Sequence, residues 1–278
     1  MAQAQSSAYD LENPSLVSAM DECPLWSAPF GLKLLEILRM QKKMTVLDIG
    51  PGTGFPLLET AMRLGRDSLV TGIDPWKAAA ARTMQKTRAA GIPNVTVIRG
   101  LAEYLPFKPN RFDLILSNNG INNVLDMAGT FKECSRVLKP GGQFAWSMNL
   151  EGTMSEFYEV FKETLFKNGM GSLVESVENH IHSKRKPLDE VADLLSESGM
   201  RIIRIVRDSF VLRYASGSAM LSHFMIRQAF LDPWRSIVPE GRRDSVFGQI
   251  ENALNGLAEK NGELRMTVPF AVLDCTTE

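Results

Sequence analysis

Val46-Leu47-Asp48-Ile49-Gly50-Pro51-Gly52-Thr53-Gly54-Phe55-Pro56 decides how this chain folds. Thr45, Val46, Leu47 and Ile49 are apolar or β-capable residues interrupted by one acid, and they run straight into Gly-x-Gly-x-Gly. A helical pattern, Pro56-Leu57-Leu58-Glu59-Thr60-Ala61-Met62-Arg63-Leu64-Gly65, follows at once. A buried strand, a glycine turn and a helix start in that order build the nucleotide-cradling corner of a doubly wound α/β sheet. Glycine belongs where the backbone takes a positive φ, or where a ligand must approach without meeting a Cβ. Pro56 fits the first turn of a helix, where its missing N–H breaks no bond.

The spacing narrows the ligand. A dinucleotide fingerprint reads G-x-G-x-x-G; here the third glycine comes one residue early, at Gly54, and the bulky Phe55 takes the late position. Asp48 puts a carboxylate beside the turn, where it repels a pyrophosphate and attracts an ammonium group. The run resembles the first motif of the class I S-adenosylmethionine-dependent methyltransferases, E/D-x-G-x-G-x-G. That resemblance implies a pocket for S-adenosyl-L-methionine lined by Asp48, Gly50, Gly52 and Gly54, with S-adenosyl-L-homocysteine as product. For the glycines alone, a turn that binds nothing is the plainer alternative.

Further motifs arrive in the family's order. Leu69-Val70-Thr71-Gly72-Ile73-Asp74 is a short strand ending in an acid twenty residues beyond Gly54, the place for a carboxylate that accepts ribose hydroxyls. Asp74 is also suited to N-cap the helix opened by Pro75, since Ala78 to Ala90 is alanine-rich. Trp76 either stacks on the adenine ring or packs at the helix start. A third strand, Val95-Thr96-Val97-Ile98-Arg99, leads into Gly100-Leu101-Ala102-Glu103-Tyr104-Leu105-Pro106-Phe107. This segment resembles the family's G-D-A-x-x-L-P-F, whose Asp holds the adenine amino group. Leu101 replaces that Asp, which leaves Ala102 backbone groups or the Glu103 carboxylate to take over, with a solvated loop acid as the alternative for Glu103.

The fourth strand, Phe112 to Ser117, ends in Asn118-Asn119-Gly120, and strand C-termini are where open α/β sheets bind ligands. Asn118 and Asn119 are therefore expected beside the donor, although Asn also serves tight turns. The N/D-P-P-Y/F signature of base and glutamine methylation is absent, which counts against a nucleobase acceptor. Phe131 to Leu138 reads as a helix, Lys139-Pro140-Gly141-Gly142 as a break, and Gln143-Phe144 as the start of a fifth strand. It resembles the family's R-x-L-K-P-G-G. The resemblance implies an α/β fold: a Rossmann-like, doubly wound, seven-stranded sheet with a terminal antiparallel hairpin, plus helical cap insertions.

Composition sets limits. The 278 residues suffice for one enlarged α/β domain, or a core plus a cap, with a sizeable buried interior. With 31 basic against 32 acidic residues there is no polyanion-binding excess, so a nucleic-acid partner is disfavoured. Lys184-Arg185-Lys186 reads as a solvated charge run. No stretch has the length of a membrane span, and the first residues lack a basic-then-apolar signal pattern. Cys23, Cys134 and Cys275 are scattered, fit a reducing cytoplasm, and form no metal spacing; His180-x-His182 is too short to argue for zinc.

The expected organisation is an N-terminal helical lid over 1–43, a donor-binding core over 44–150, cap or substrate insertions over 151–186 and 215–261, and completion of the core sheet over 187–214 and 262–278. Pro187 to Gly199 is an amphipathic helix and Ile202 to Tyr214 a long strand. A last strand is expected over 264–273, with Pro269 marking an edge or a bulge. Ala219 to Phe230 carries a Met and aromatic stripe that is either core packing or the lining of an apolar pocket.

Methyl transfer from a sulfonium is an in-line displacement on an activated donor, so alignment and desolvation supply much of the rate. A base is required only if the nucleophile must shed a proton, and the candidates are His182, His223, Tyr158 and Tyr9. The leading expectation is transfer to a small, partly apolar acceptor of the quinone, sterol or natural-product type in the cytoplasm. A protein or RNA methyltransferase is the second reading, and a non-catalytic S-adenosylmethionine-binding regulator the third.

Overall fold

A computed structural model describes residues 10–22 and 25–277. In chain order its elements are α1 (Pro14–Glu22), α2 (Ser27–Ile37), β1 (Thr45–Ile49), α3 (Leu57–Leu64), β2 (Leu69–Asp74), α4 (Lys77–Ala89), β3 (Val95–Arg99), β4 (Phe112–Asn118), α5 (Met127–Val137) and β5 (Leu138–Asn149). There follow α6 (Ser155–Lys167), α7 (Val174–Lys184), α8 (Leu188–Glu197), β6 (Met200–Tyr214), α9 (Gly217–Ser222), α10 (Phe224–Ala229), α11 (Leu231–Ser236), α12 (Arg243–Asn261) and β7 (Leu264–Thr277).

The strands form a seven-stranded sheet in the order β3-β2-β1-β4-β5-β7-β6. β1 pairs in parallel with β2 and β4, β2 with β3, and β4 with β5. Parallel strands buried on both faces read as continuous apolar runs, and Val46, Leu47 and Ile49 are all buried. β7 runs antiparallel to β5, so the sheet closes with the terminal antiparallel hairpin that the resemblance implied. Order reverses between β1 and β4, the switch point at which a doubly wound sheet opens a ligand crevice.

Two sequence expectations change. The Pro-Gly-Gly break is absorbed inside β5: Phe112 pairs with Leu138, the register shifts, and pairing resumes at Leu114 with Gln143. The intervening residues bulge, with Gly141 at φ 72°. Pro269 lies in a strand flanked by β5 and β6, not at the edge. Pairing of β7 with β5 begins one residue later, Phe270 with Asn149, so the missing Pro269 N–H falls outside that ladder.

By internal contacts the chain divides into two compact units. Among the described residues, the larger holds those of 11–149, Lys186–Asp208 and 270–277; the smaller holds Leu150–Arg185 and Ser209–Pro269. In the larger unit Phe131, Phe144 and Trp146 are fully buried, with the Phe131 and Trp146 rings 5.5 Å apart. Asp21 of α1 is gripped by Arg82 Nε (2.9 Å) and Lys86 Nζ (2.6 Å) of α4. Burial pushes the Asp21 carboxyl up, but hydrogen bonds from Lys86, Arg82 and Thr53 outweigh it and hold it below its ordinary value. Gln143, buried in β5, donates through Nε2 to Ile37 O (3.0 Å) and Asp274 Oδ1 (2.9 Å) and accepts Arg39 N–H (2.8 Å).

The smaller unit is helical and aromatic. Phe157 stacks on Trp234 with ring centroids 3.8 Å apart, and Phe161 lies 5.7 Å from Phe247. The Met and aromatic stripe divides at His223 into α9 and α10, burying Met220, Met225 and Ile226. No helix among the described residues is long and apolar enough to cross a membrane.

Candidate functional site

β1 delivers Asp48 and the glycine turn to the C-terminal rim of the parallel strands. Gly50 N donates to Ile73 O (2.9 Å), and Gly54 N closes the turn on Pro51 O (2.8 Å). Gly52 has φ 54°, and a Cβ built there meets nothing within 4 Å. That open space is the kind of cradle a side chain would fill. We therefore expect Gly52→Val to abolish S-adenosylmethionine binding in a titration while the fold survives, since the positive φ costs a non-glycine residue only about 1–3 kcal/mol. Unchanged affinity in Gly52→Val would remove the turn from the site.

Asp48 is fully buried, and neither carboxylate oxygen has a hydrogen-bond partner among the described residues. Burial raises its pKa well above the ordinary carboxylate range, and the negative charge of Asp74 adds to the effect. A buried carboxyl without a donor is costly, and its retention asks for a ligand that supplies one. A cationic group at the turn answers that demand, so the residues present fit a donor carrying an ammonium and a sulfonium.

Asp74, at the tip of β2, has a second task. Its Oδ2 accepts Gly52 N–H and its Oδ1 accepts Trp76 N–H, both at 2.8 Å. It therefore laces the glycine turn to the start of α4. It does not N-cap that helix, whose cap position is Trp76, without a side-chain hydrogen bond at its cap. Burial raises the Asp74 pKa against the two backbone N–H bonds that lower it. Trp76 donates Nε1–H to Leu11 O (2.8 Å), which anchors the segment leading into α1.

In the segment after β3, Glu103 braces the chain. Its Oε1 accepts Leu125 N–H (2.9 Å) and Asp126 N–H (3.3 Å), bracing the approach to α5. Leu101 is 45% exposed and Ala102 is buried. At the tip of β4, Asn118 Oδ1 accepts from Ser147 Oγ (2.8 Å) and its Nδ2 donates to Ser27 O (3.0 Å). Asn119, at φ 60°, accepts Asn149 N–H (3.3 Å) and pairs with Asn122 Nδ2. Both asparagines thus fasten strand ends and the start of α2.

Gly31 of α2 is packed so closely that a Cβ there would come within 2.7 Å of Phe55 Cζ and 2.9 Å of Asn118 Nδ2. In an open helix Gly→Ala stabilises by about 1 kcal/mol. Here we expect Gly31→Ala to destabilise by about 1–3 kcal/mol, because overpacking outweighs propensity. A raised Tm in thermal melts would contradict that packing.

Sequence reasoning passed over three further residues. Thr83 Oγ1 donates to Gly52 O (2.9 Å), Ser117 Oγ donates to Ile49 O (2.7 Å), and a Cβ on Gly120 would lie 2.6 Å from Ile49 O. They hold the turn from outside it, and only the Asn-Asn-Gly turn signal pointed towards Gly120.

The base candidates are dispersed. Tyr158 is buried in the smaller unit, where its hydroxyl accepts from Trp234 Nε1 (2.9 Å) and Arg185 Nη1 (3.2 Å). His182 and His223 are exposed, and Tyr9 lies outside the described residues. The Lys184-Arg185-Lys186 run is not a uniformly solvated face, because α7 ends at Lys184 and the chain turns at Arg185, which is only 2% exposed.

The geometry has counterparts in known proteins. Residues 47–146 match a family described as a methyltransferase domain. A demethylmenaquinone methyltransferase of Listeria welshimeri is 28% identical over 198 residues, covering 68% of this chain and 81% of that protein. A crystal structure of a putative methyltransferase from Bacillus halodurans superposes with TM-score 0.58 at 16% identity, over 88% of this chain and 97% of the other. A SAM-dependent methyltransferase from Aquifex aeolicus gives TM-score 0.53 at 22% identity, over 70% and 92%. The matched domain and the curated relatives agree with the glycine turn and its two acids, and together they support an S-adenosylmethionine-dependent methyltransferase whose methyltransferase domain spans residues 47–146.

Proposed function

We propose that the enzyme methylates a small aromatic acceptor of the quinol type, held by the helical and aromatic smaller unit. Two things support this reading: the relatives named demethylmenaquinone methyltransferases, and the Phe157, Phe161, Trp234 and Phe247 rings with the buried Met220 and Met225 in the same unit. On this reading 151–186 and 215–261 serve the acceptor, residues 44–150 the donor, 187–214 and 262–278 complete the sheet, and 1–43 covers the glycine turn.

The donor assignment rests on one observation above others, the Asp48 carboxyl buried without a hydrogen-bond donor. In the proposed arrangement Asp48 takes the charge of the donor's amino-acid end, Gly50, Gly52 and Gly54 let it approach the backbone, and Asp74 accepts ribose hydroxyls. Trp76, Leu101 and Ala102 border the adenine, with Glu103 bracing their loop, and Asn118 and Asn119 form the strand-end rim. When bound, S-adenosylmethionine supplies an activated methyl group. The chain's own residues exclude water and align the acceptor, contributions worth on the order of 7–11 kcal/mol in favourable systems.

The test is release of S-adenosylhomocysteine from purified enzyme offered a reduced prenylated naphthoquinone, a tRNA pool or a protein extract. Turnover on the naphthoquinol alone is the expected result. Turnover on tRNA or protein instead would replace the acceptor, and donor binding without turnover on any of the three would defeat the quinol reading.

A further inference from the structure

We propose that Arg185 and Tyr158 form an oxyanion-binding site inside the smaller unit, built to hold an ionised oxygen of a small aromatic ligand. The inference rests on the acceptor reading above and gives it a named contact.

Arg185 is 2% exposed, yet no carboxylate pairs with it among the described residues. Of the five N–H groups on its guanidinium, one meets Tyr158 Oη at 3.2 Å, and Nε is buried with no hydrogen-bond partner. Its carbon centre also stands 5.4 Å from the centroid of the Tyr158 ring. Taking a guanidinium out of water costs several kcal/mol unless an anion or a full set of acceptors compensates. A single phenol and a ring face are not such a set, so the protein carries a buried cation that lacks its anion.

The neighbours suit an aromatic partner. His180, with its ring 6.4 Å from that of Tyr158, cannot supply charge of either useful sign. Burial, then the charges of Arg185 and Lys184, push its pKa down to about 4, so it is neutral at physiological pH. Tyr158 Oη accepts from both Arg185 and Trp234, which leaves its own O–H to donate outward. Trp234 stacks on Phe157 at 3.8 Å and lies 5.5 Å from Phe230, so flat apolar faces adjoin the cation. A buried guanidinium with unmet donors, beside a phenol and stacked aromatic rings, matches an aromatic ring bearing O⁻. The cavity of about 520 Å³ lined by Glu156, Glu159 and Glu163 is a different feature, on the opposite face of α6 and of the wrong charge.

The experiment uses the full chain and two isosteric probes, 2-naphthoate and the neutral 2-naphthamide, titrated calorimetrically at pH 7. A charge-assisted contact predicts that the wild type binds the carboxylate about 10- to 100-fold more tightly than the amide. Arg185→Met should erase that preference while leaving 2-naphthamide affinity within about twofold. Tyr158→Phe should reduce the preference without erasing it, and S-adenosylmethionine affinity should stay unchanged in both variants. Equal affinities in the wild type, no binding of 2-naphthoate, or a preference that persists in Arg185→Met would each overturn the site. The wild-type comparison needs no variant, so it stands even if Arg185→Met fails to fold. Turnover on the naphthoquinol with no carboxylate preference sinks this inference alone; no turnover on the naphthoquinol would instead sink the reading beneath it.

Discussion

Asp74→Ala is expected to weaken S-adenosylmethionine binding by about 100-fold or more, measured by titration calorimetry, while the protein remains folded. The size follows from what the carboxylate joins. It accepts backbone N–H groups from Gly52 and Trp76, so its loss frees the glycine turn from the start of α4 as well as removing the proposed ribose acceptor. Hydrogen bonds to a charged group contribute about 1.5–3 kcal/mol each, and loss of two such contacts reaches two decades in affinity. Asp74→Asn separates the tasks. Its single carbonyl oxygen can keep only one of the two N–H bonds, so an intermediate loss is the expected outcome. Wild-type affinity in Asp74→Ala would dissociate this acid from the donor.

Asp48→Asn should raise Tm at pH 7–8, leave it unchanged near pH 3, and abolish the pH dependence of donor affinity. Burial, with the Asp74 charge, raises the folded-state pKa of Asp48 well above its unfolded value of about 3.9. Between those two values the native state holds a proton that the unfolded state has lost, so stability falls as pH rises through that window. Below the unfolded pKa both states are protonated and the carboxyl exerts no penalty. The amide keeps the shape without the charge, hence the stabilisation on the alkaline side only. A donor cation favours the ionised form, so wild-type binding should expel a proton and strengthen with pH across the same window. Calorimetry in buffers of different ionisation enthalpy reads that proton directly. A Tm gain at pH 3 equal to that at pH 8 would show that ionisation of Asp48 has no part in it.

Much of the sheet was legible because its signals are local. Val46 to Ile49, Val95 to Arg99 and Phe112 to Asn118 are short apolar runs bounded by turn residues, and each is a strand with nearly the expected bounds. The Gly-x-Gly-x-Gly turn announced itself in the same way. What escaped is long-range. The bond from Asn118 to Ser27 spans 91 positions and that from Asp74 to Gly52 spans 22, and neither leaves a periodicity in the sequence. Asn118, Asn119 and Glu103 carry hydrogen bonds to the scaffold that the sequence did not show. Arg185 was hidden for the opposite reason, since flanking lysines made a buried cation look like a wet one.

Gln143 carries a consequence for where the chain can be cut. One side-chain amide in the middle of the sheet clasps the end of α2 with Ile37 and Arg39, and clasps β7 through Asp274. Residues more than two hundred positions apart are thus buttoned to one stud. Trimming the last strand back past Asp274 unpairs the end of the β5–β7 ladder and strips one of Gln143's three fastenings, so the loosening reaches beyond the sheet to where α2 gives way to β1, at the opposite end of the sequence.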